Sequence, residues 1–167
     1  MHIRHSGPGD IDAVRAIYAQ PSNYASTLQL PHPSRALWEK RLGGTDEHFH
    51  SLVACEDEEV LGQIGIATHA RHRRRHVANV GMAVSETARG CGVGRALLQA
   101  AIDLCEGWLA VHRIELEVYT DNAAAIALYE ACGFVREGTA RGYAWRDGRF
   151  VDAHLMARLS GPLARNG

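Results

Sequence analysis

The sequence predicts a mixed α/β fold, a central sheet of about seven strands with about four helices. Three observations predict it. Apolar strand-like runs exchange with helical stretches through the middle of the chain. Hairpin signals stand towards both ends, Glu56-Asp57-Glu58-Glu59 in the first half and Arg146-Asp147-Gly148 in the second. A glycine-rich segment, Arg89 to Ala96, joins a strand to a long helix.

The elements follow in order. His2 to His5 alternates and reads as a first short strand. Asp10 is a candidate N-cap for a helix carrying Ile11, Val14 and Ile17 at helical spacing. The Pro- and polar-rich stretch Pro21 to Ser34 breaks that helix, and a second follows to about Leu42. Ser51 to Cys55 and Val60 to Thr68 form a hairpin, and His76 to Val84 is the next strand. The helix after the glycine segment carries Val93, Leu97, Ala101, Leu104 or Cys105, and Trp108 on one stripe. Arg113 to Tyr119 is a strand and Asn122 to Cys132 a helix, with Gly133 as its left-handed C-terminal residue. Phe134 to Tyr143 and Val151 to Leu159 close the chain as a hairpin.

Composition bounds the function classes. The chain has 167 residues, 46% hydrophobic and 22% charged, with a net charge of -1. These values suit one domain over residues 1–160, with a fraying tail at 161–167. A balanced charge argues against nucleic acid or an anionic membrane as partner. No apolar run approaches the ~20 residues of a membrane span, and residues 1–20 carry charges rather than a secretory core. A cytoplasmic enzyme is expected. Cys55, Cys91, Cys105 and Cys132 are scattered without paired spacing, which suits reduced thiols. His48 and His50 lack clustered partners, so no metal is expected. The run His69 to His76 is basic, but no aromatic residue interleaves its arginines, and it reads as a solvated hairpin tip.

Arg89-Gly90-Cys91-Gly92-Val93-Gly94-Arg95-Ala96 carries the chemistry. Glycines let backbone approach a ligand closely, and the helix start behind them offers unpaired N–H groups and positive partial charge. Together they suit a phosphate or pyrophosphate. A P-loop would need Gly-Lys followed by Ser or Thr, and here Arg95 and Ala96 follow Gly94. A dinucleotide fingerprint fails because position 97 is Leu.

Arg89, Gly92 and Gly94 do meet the pattern Gln/Arg-x-x-Gly-x-Gly/Ala. Further on, Val118, Asn122, Ala125, Tyr129, Gly133 and Phe134 stand in the register V-x-x-x-N-x-x-A-x-x-x-Y-x-x-x-G-F. In both segments the chain resembles the GNAT acetyltransferases. Ser22-Asn23-Tyr24 through Leu28 to Pro33, with Trp38, resembles a bacterial subgroup assigned as L-amino-acid N-acetyltransferases. The resemblance implies a mostly antiparallel sheet and acetyl-CoA as co-substrate. It also implies direct acetyl transfer to a small primary amine, with a homodimer as the family's assembly.

On that resemblance Gly90, Cys91, Gly92, Val93 and Gly94 cradle the pyrophosphate, with Arg89 and Arg95 as flanking cations. Met82, Ala83 and Val84 form the strand edge for the pantetheine arm, whose N–H groups could stabilise an oxyanion. Asn122 and Ala125 contact the cofactor, and Tyr129, two helical turns beyond Asn122, is the candidate acid for the leaving sulfur. With a free phenol near ~10 and a thiol near ~8.5, outright transfer is uphill, so Tyr129 is expected to hydrogen-bond the departing sulfur as charge develops, with transfer aided by a lowered pKa. The usual carboxylate of the strand before the glycine loop is replaced by Asn79, an amide that takes no proton at neutral pH. Glu115 is the expected base, with His76 or a water chain as substitutes; Glu115, Glu117 and Tyr119 share one strand face. Tyr24, Leu28 and Tyr143 are candidates to wall the substrate. A protein N-terminus or antibiotic-type amine is the rival acceptor, a non-catalytic acyl-CoA sensor the rival class, and an RNA-associated module the third reading.

Overall fold

The computed structural model describes residues 1–44 and 46–165. Its strands are β1 (His2–His5), β2 (Phe49–Glu56), β3 (Glu59–Thr68), β4 (Val77–Val84), β5 (Arg113–Tyr119), β6 (Val135–Arg146) and β7 (Arg149–Leu159). Its helices are α1 (Ile11–Tyr18), α2 (Pro21–Ser26), α3 (Arg35–Leu42), α4 (Val93–Gly107) and α5 (Ala123–Ala131). The sheet has seven strands in the order β1-β2-β3-β4-β5-β7-β6, mostly antiparallel, with β4 and β5 parallel through Val77↔Arg113, Ala78↔Ile114 and Asn79↔Glu115. No helix among the described residues is long and apolar enough to cross a membrane.

The chain divides into two compact units, Met1–Ala67 with Gly81–Ala101, and Thr68–Val80 with Ile102–Gly167. In the first, Ile11, Val14, Ile17 and Tyr18 of α1 meet Trp38 of α3 and Val53, Cys55, Val60 and Ala83 of the strands. Tyr18 stacks on Trp38 at 4.6 Å between ring centroids. Its hydroxyl donates to Gln63 Oε1 (2.8 Å), and Gln63 donates to Ser51 Oγ (2.9 Å), so the buried amide is satisfied at both ends. Gly62 of β3 lets α4 sit close. A Cβ there would stand 3.0 Å from both Leu97 Cδ1 and the Ala83 carbonyl. That approach fixes the height of the glycine loop that precedes α4.

In the second unit, β5 pairs with β7 and β7 with β6. Asp147 and Gly148 have φ of 47° and 78°, the geometry of a two-residue primed hairpin turn. The β6–β7 register shifts between Ala140 and Ala144, where Gly142 (φ 60°) donates its N–H to Asp152 Oδ1 at 2.7 Å. This bulge re-aims the intervening Tyr143. Gly133 ends α5 with φ 84°, and Arg158 closes that end by donating to the Cys132 carbonyl (3.0 Å) and to Glu106 (2.8 Å).

Several expectations are corrected. The stretch after Pro21 is not simply a break: a fifth helix, α2, starts with Pro21 in its first turn, where the missing proline N–H costs no helical bond. Asp10 does not cap α1 with its side chain. It turns back to accept from the Gly7 N–H (2.7 Å) and to pair with Arg4 (2.7 and 2.8 Å), which holds its carboxyl below the usual carboxylate range. Trp108 is 84% exposed because α4 stops at Gly107 and the helical stripe stops with it. Gly161–Arg165 forms a 3₁₀ turn; residues 166 and 167 of the expected tail lie outside the described residues.

Candidate active site

The first unit builds an anion seat. β4 ends at Val84, a 3₁₀ turn follows at Glu86–Ala88, and the glycine loop runs into α4. Gly90 and Gly92 have φ of 75° and 83°, and nothing lies within 4 Å of a Cβ built on either. Conformation rather than crowding requires glycine there. The Ala96 N–H bonds back to the Gly92 carbonyl at 3.0 Å, so the N–H groups of Val93, Gly94 and Arg95 have no acceptor within the helix. Their partial positive charge adds to two exposed guanidiniums, Arg89 and Arg95. Arg89 donates from Nη2 to Asn23 Oδ1 at 2.6 Å. Cys91 is exposed, its Sγ 3.6 Å from the Arg89 carbonyl.

On β4, Ala83 is buried with its side chain in the core, while Met82 and Val84 are half-buried. The Val84 carbonyl accepts from Asn23 Nδ2 at 3.0 Å. Of the expected substrate wall, Tyr24 is half-buried, and Leu28 is 65% exposed on the loop after α2.

The second unit carries the titratable groups. Tyr129 is buried against Phe134, 5.8 Å between ring centroids, and burial alone pushes its phenol up to about 12. The expectation of a lowered phenol pKa is therefore corrected: the apolar wall disfavours the phenolate. Asn122 is the N-cap of α5, its Oδ1 accepting the Ala125 N–H at 3.3 Å, which leaves its amide N–H groups uncommitted by the cap.

The carboxylates of β5 separate sharply. Glu115 accepts from Arg113 (2.6 Å) and from Arg74 (3.0 Å), and Arg113 also pairs with Glu137. Its oxygens are committed to two guanidiniums, which counts against Glu115 as a base. Glu117, two residues on, is exposed and, among the described residues, receives the long, forked donation of Asn79 Nδ2, at 3.3 and 3.5 Å. Its charge is felt by Tyr143, whose phenol is raised by burial first and then by Glu117 and Tyr119. Tyr143 meets Tyr119 edge-on at 6.5 Å, and the Arg146 guanidinium lies over the Tyr119 ring at 5.3 Å while pairing with Asp121. The substitute base His76 is exposed. The residues that sequence reasoning undervalued are therefore Glu117 and Asn23. Strand alternation had put Glu117 on the right face, whereas nothing in the local pattern marks Asn23 as buried.

Backbone N–H groups at the start of α4, with Arg89 and Arg95 beside them, suit a phosphorylated coenzyme. The chain belongs to the acetyltransferase (GNAT) family, whose sequence pattern matches residues 12–134. It is 46% identical, over 94% of its length and 96% of the relative's, to the L-amino acid N-acetyltransferase AaaT of Escherichia coli (strain K12). It is 33% identical to the phosphinothricin N-acetyltransferase of Alcaligenes faecalis, over 89% of this chain and 77% of that one. The crystal structure of a ribosomal-protein-alanine N-acetyltransferase from Brucella melitensis superposes with a TM-score of 0.85 at 27% identity, covering 96% of this chain and all of that one.

Proposed function

We propose that this acetyltransferase passes acetyl from acetyl-CoA directly to the α-amine of a free L-amino acid. The observation that carries the acceptor is the likeness, across nearly the whole of both chains, to a relative named for that reaction. The glycine loop and Arg89 and Arg95 hold the pyrophosphate, and the end of β4 at Met82–Val84, beyond the residues that pair with β5, guides the pantetheine arm. Acetyl-CoA supplies the activated thioester. The amine nitrogen forms the new C–N bond as the C–S bond breaks. Its proton passes to Glu117, directly or through water, with Asn79 orienting that carboxylate. Tyr129 donates a hydrogen bond to the departing sulfur.

A neutral amine must arrive from solution. A peptide-like α-amine of pKa ~8 is roughly a quarter neutral at pH ~7.5, against about a thousandth for a lysine-type amine. An exposed carboxylate suits α-amines better than side-chain amines; the α-amine of a free amino acid is more basic than a peptide's, so the choice of a free amino acid rests on the relative and not on amine basicity. The test is thiol release from acetyl-CoA against single L-amino acids, dipeptides with free N-termini, phosphinothricin and polyamines. Turnover on free amino acids well above dipeptides is the expected result. A preference for dipeptides or phosphinothricin would replace the acceptor, and tight acetyl-CoA binding without turnover on any amine would replace the enzyme with a sensor.

A further inference from the structure

Asn23 is the most heavily bonded side chain near the glycine loop. It sits in α2, 3% exposed. Its Nδ2 donates to the Ile17 carbonyl at the end of α1 (2.9 Å), to the Val84 carbonyl at the end of β4 (3.0 Å) and to Gln20 Oε1 (3.2 Å). An amide nitrogen has two protons for these three acceptors. The two backbone carbonyls fix which way the amide faces, so Oδ1 is the atom turned to Arg89. That bond, at 2.6 Å, is charge-assisted.

The lattice continues on both sides. Gln20 Oε1 accepts the Glu86 N–H (2.8 Å), and Gln20 Nε2 donates to Ser85 Oγ (3.3 Å). The Glu86 carboxylate accepts from the N–H and hydroxyl of Ser22, which hold it below the usual carboxylate value, helped by Arg89. The helix that carries Tyr24 and leads to Leu28 is thus tied to the strand end and to the arginine at the mouth of the glycine loop. Arg89 itself is exposed, and a guanidinium keeps four further N–H donors after giving one to Asn23.

We propose that Asn23 is a positioning residue that couples the pyrophosphate site to the acceptor site. Phosphate oxygens that fix Arg89 also fix its bond to Asn23, and through Asn23 the helix α2 and the loop that follows. The acceptor then meets an ordered wall, and it binds more tightly once the coenzyme is in place. By linkage the coenzyme binds more tightly, by the same factor, when the acceptor is present. This rests on the readings that Arg89 meets the pyrophosphate and that the stretch after Asn23 borders the acceptor.

The experiment is calorimetric titration of CoA into the purified full chain, with and without saturating L-leucine, beside a thiol-release assay of the same preparation. The expected result is a CoA Kd about fivefold or more lower with L-leucine present, in the ordinary range of such couplings. In Asn23→Ala and in Arg89→Lys the ratio falls to about one, whatever happens to the absolute Kd. A purely structural role of Asn23 would weaken binding in both titrations and leave the ratio alone. Arg89→Lys carries the test if Asn23→Ala does not fold, because the Arg89 side chain is exposed and keeps its charge as lysine. A wild-type ratio of one in a preparation that turns over L-leucine, or a ratio preserved in either variant, overturns the proposal; no turnover of L-leucine counts instead against the functional reading. Failure of the wild type to bind CoA at all would instead sink the functional reading, and the two failures are therefore distinct.

Discussion

Replacing Tyr129 by Phe removes one oxygen from an otherwise unchanged buried ring. The phenol stands at about 12, whereas a thiol leaves near ~8.5, a gap of about 3.5 pH units. Outright proton transfer from Tyr129 to a free thiolate is thus uphill by about 5 kcal/mol. The economical role is a hydrogen bond that strengthens as charge develops on sulfur. Hydrogen bonds to charged groups contribute ~1.5–3 kcal/mol, so Tyr129→Phe should lower kcat about 10- to 150-fold. The KM for acetyl-CoA should change little, because the thioester sulfur carries little charge in the ground state. The assay is initial-rate thiol release at saturating acceptor. A kcat within about threefold of wild type would refute the assignment. So would an alkaline fall in the wild-type kcat near pH 10 that vanishes in the variant, because burial keeps this phenol protonated well above that pH.

Glu117→Gln should lower kcat/KM for the acceptor at least tenfold, while Glu115→Gln alters mainly the thermal midpoint through Arg74 and Arg113; the reverse order, read from rates and melting curves, would return the base to Glu115. Gly133→Ala should destabilise by about 1–2 kcal/mol in denaturant titration, because its φ of 84° disfavours a Cβ and that Cβ would stand 2.6 Å from Arg158 Nη1; Arg158→Met should recover part of the loss if the collision matters. Burial lifts the Cys105 thiol from 9.0 to about 12 and the Tyr129 phenol from 10.0 to about 12. The unfolded chain therefore ionises first, and stability that is complete below about pH 9 is lost up to about pH 12, of order 4 kcal/mol from Cys105; melting in that window should flatten in Cys105→Ala, and an unchanged slope would contradict this.

The elements legible in the sequence were those whose signal is local. The helix of Asn122, Ala125 and Tyr129 has a cap, a period and a glycine stop within a dozen residues, and the structure keeps all three. The glycine loop is legible for the same reason. What escaped was decided at a distance. Proline at position 21 signals a break locally, yet it suits the first turn of a short helix once tertiary bonds hold the rest. Asn23 looks like any polar loop residue until Val84 and Arg89 arrive from some sixty positions away.

The carboxylates of β5 make the same point more sharply, and they explain the amide at position 79. Alternation assigns Glu115 and Glu117 to one face but cannot say which guanidinium reaches which residue. Arg74, from the turn before β4, and Arg113 both go to Glu115. That leaves Glu117 with an amide as its neighbour at 3.3 Å. A carboxylate at position 79 would face it as a like charge and could not donate the hydrogen bond that the amide gives. With asparagine there, the Glu117 carboxylate faces a donor rather than a like charge. Asn79 therefore reads less as a lost base than as the residue that lets the neighbouring strand supply one.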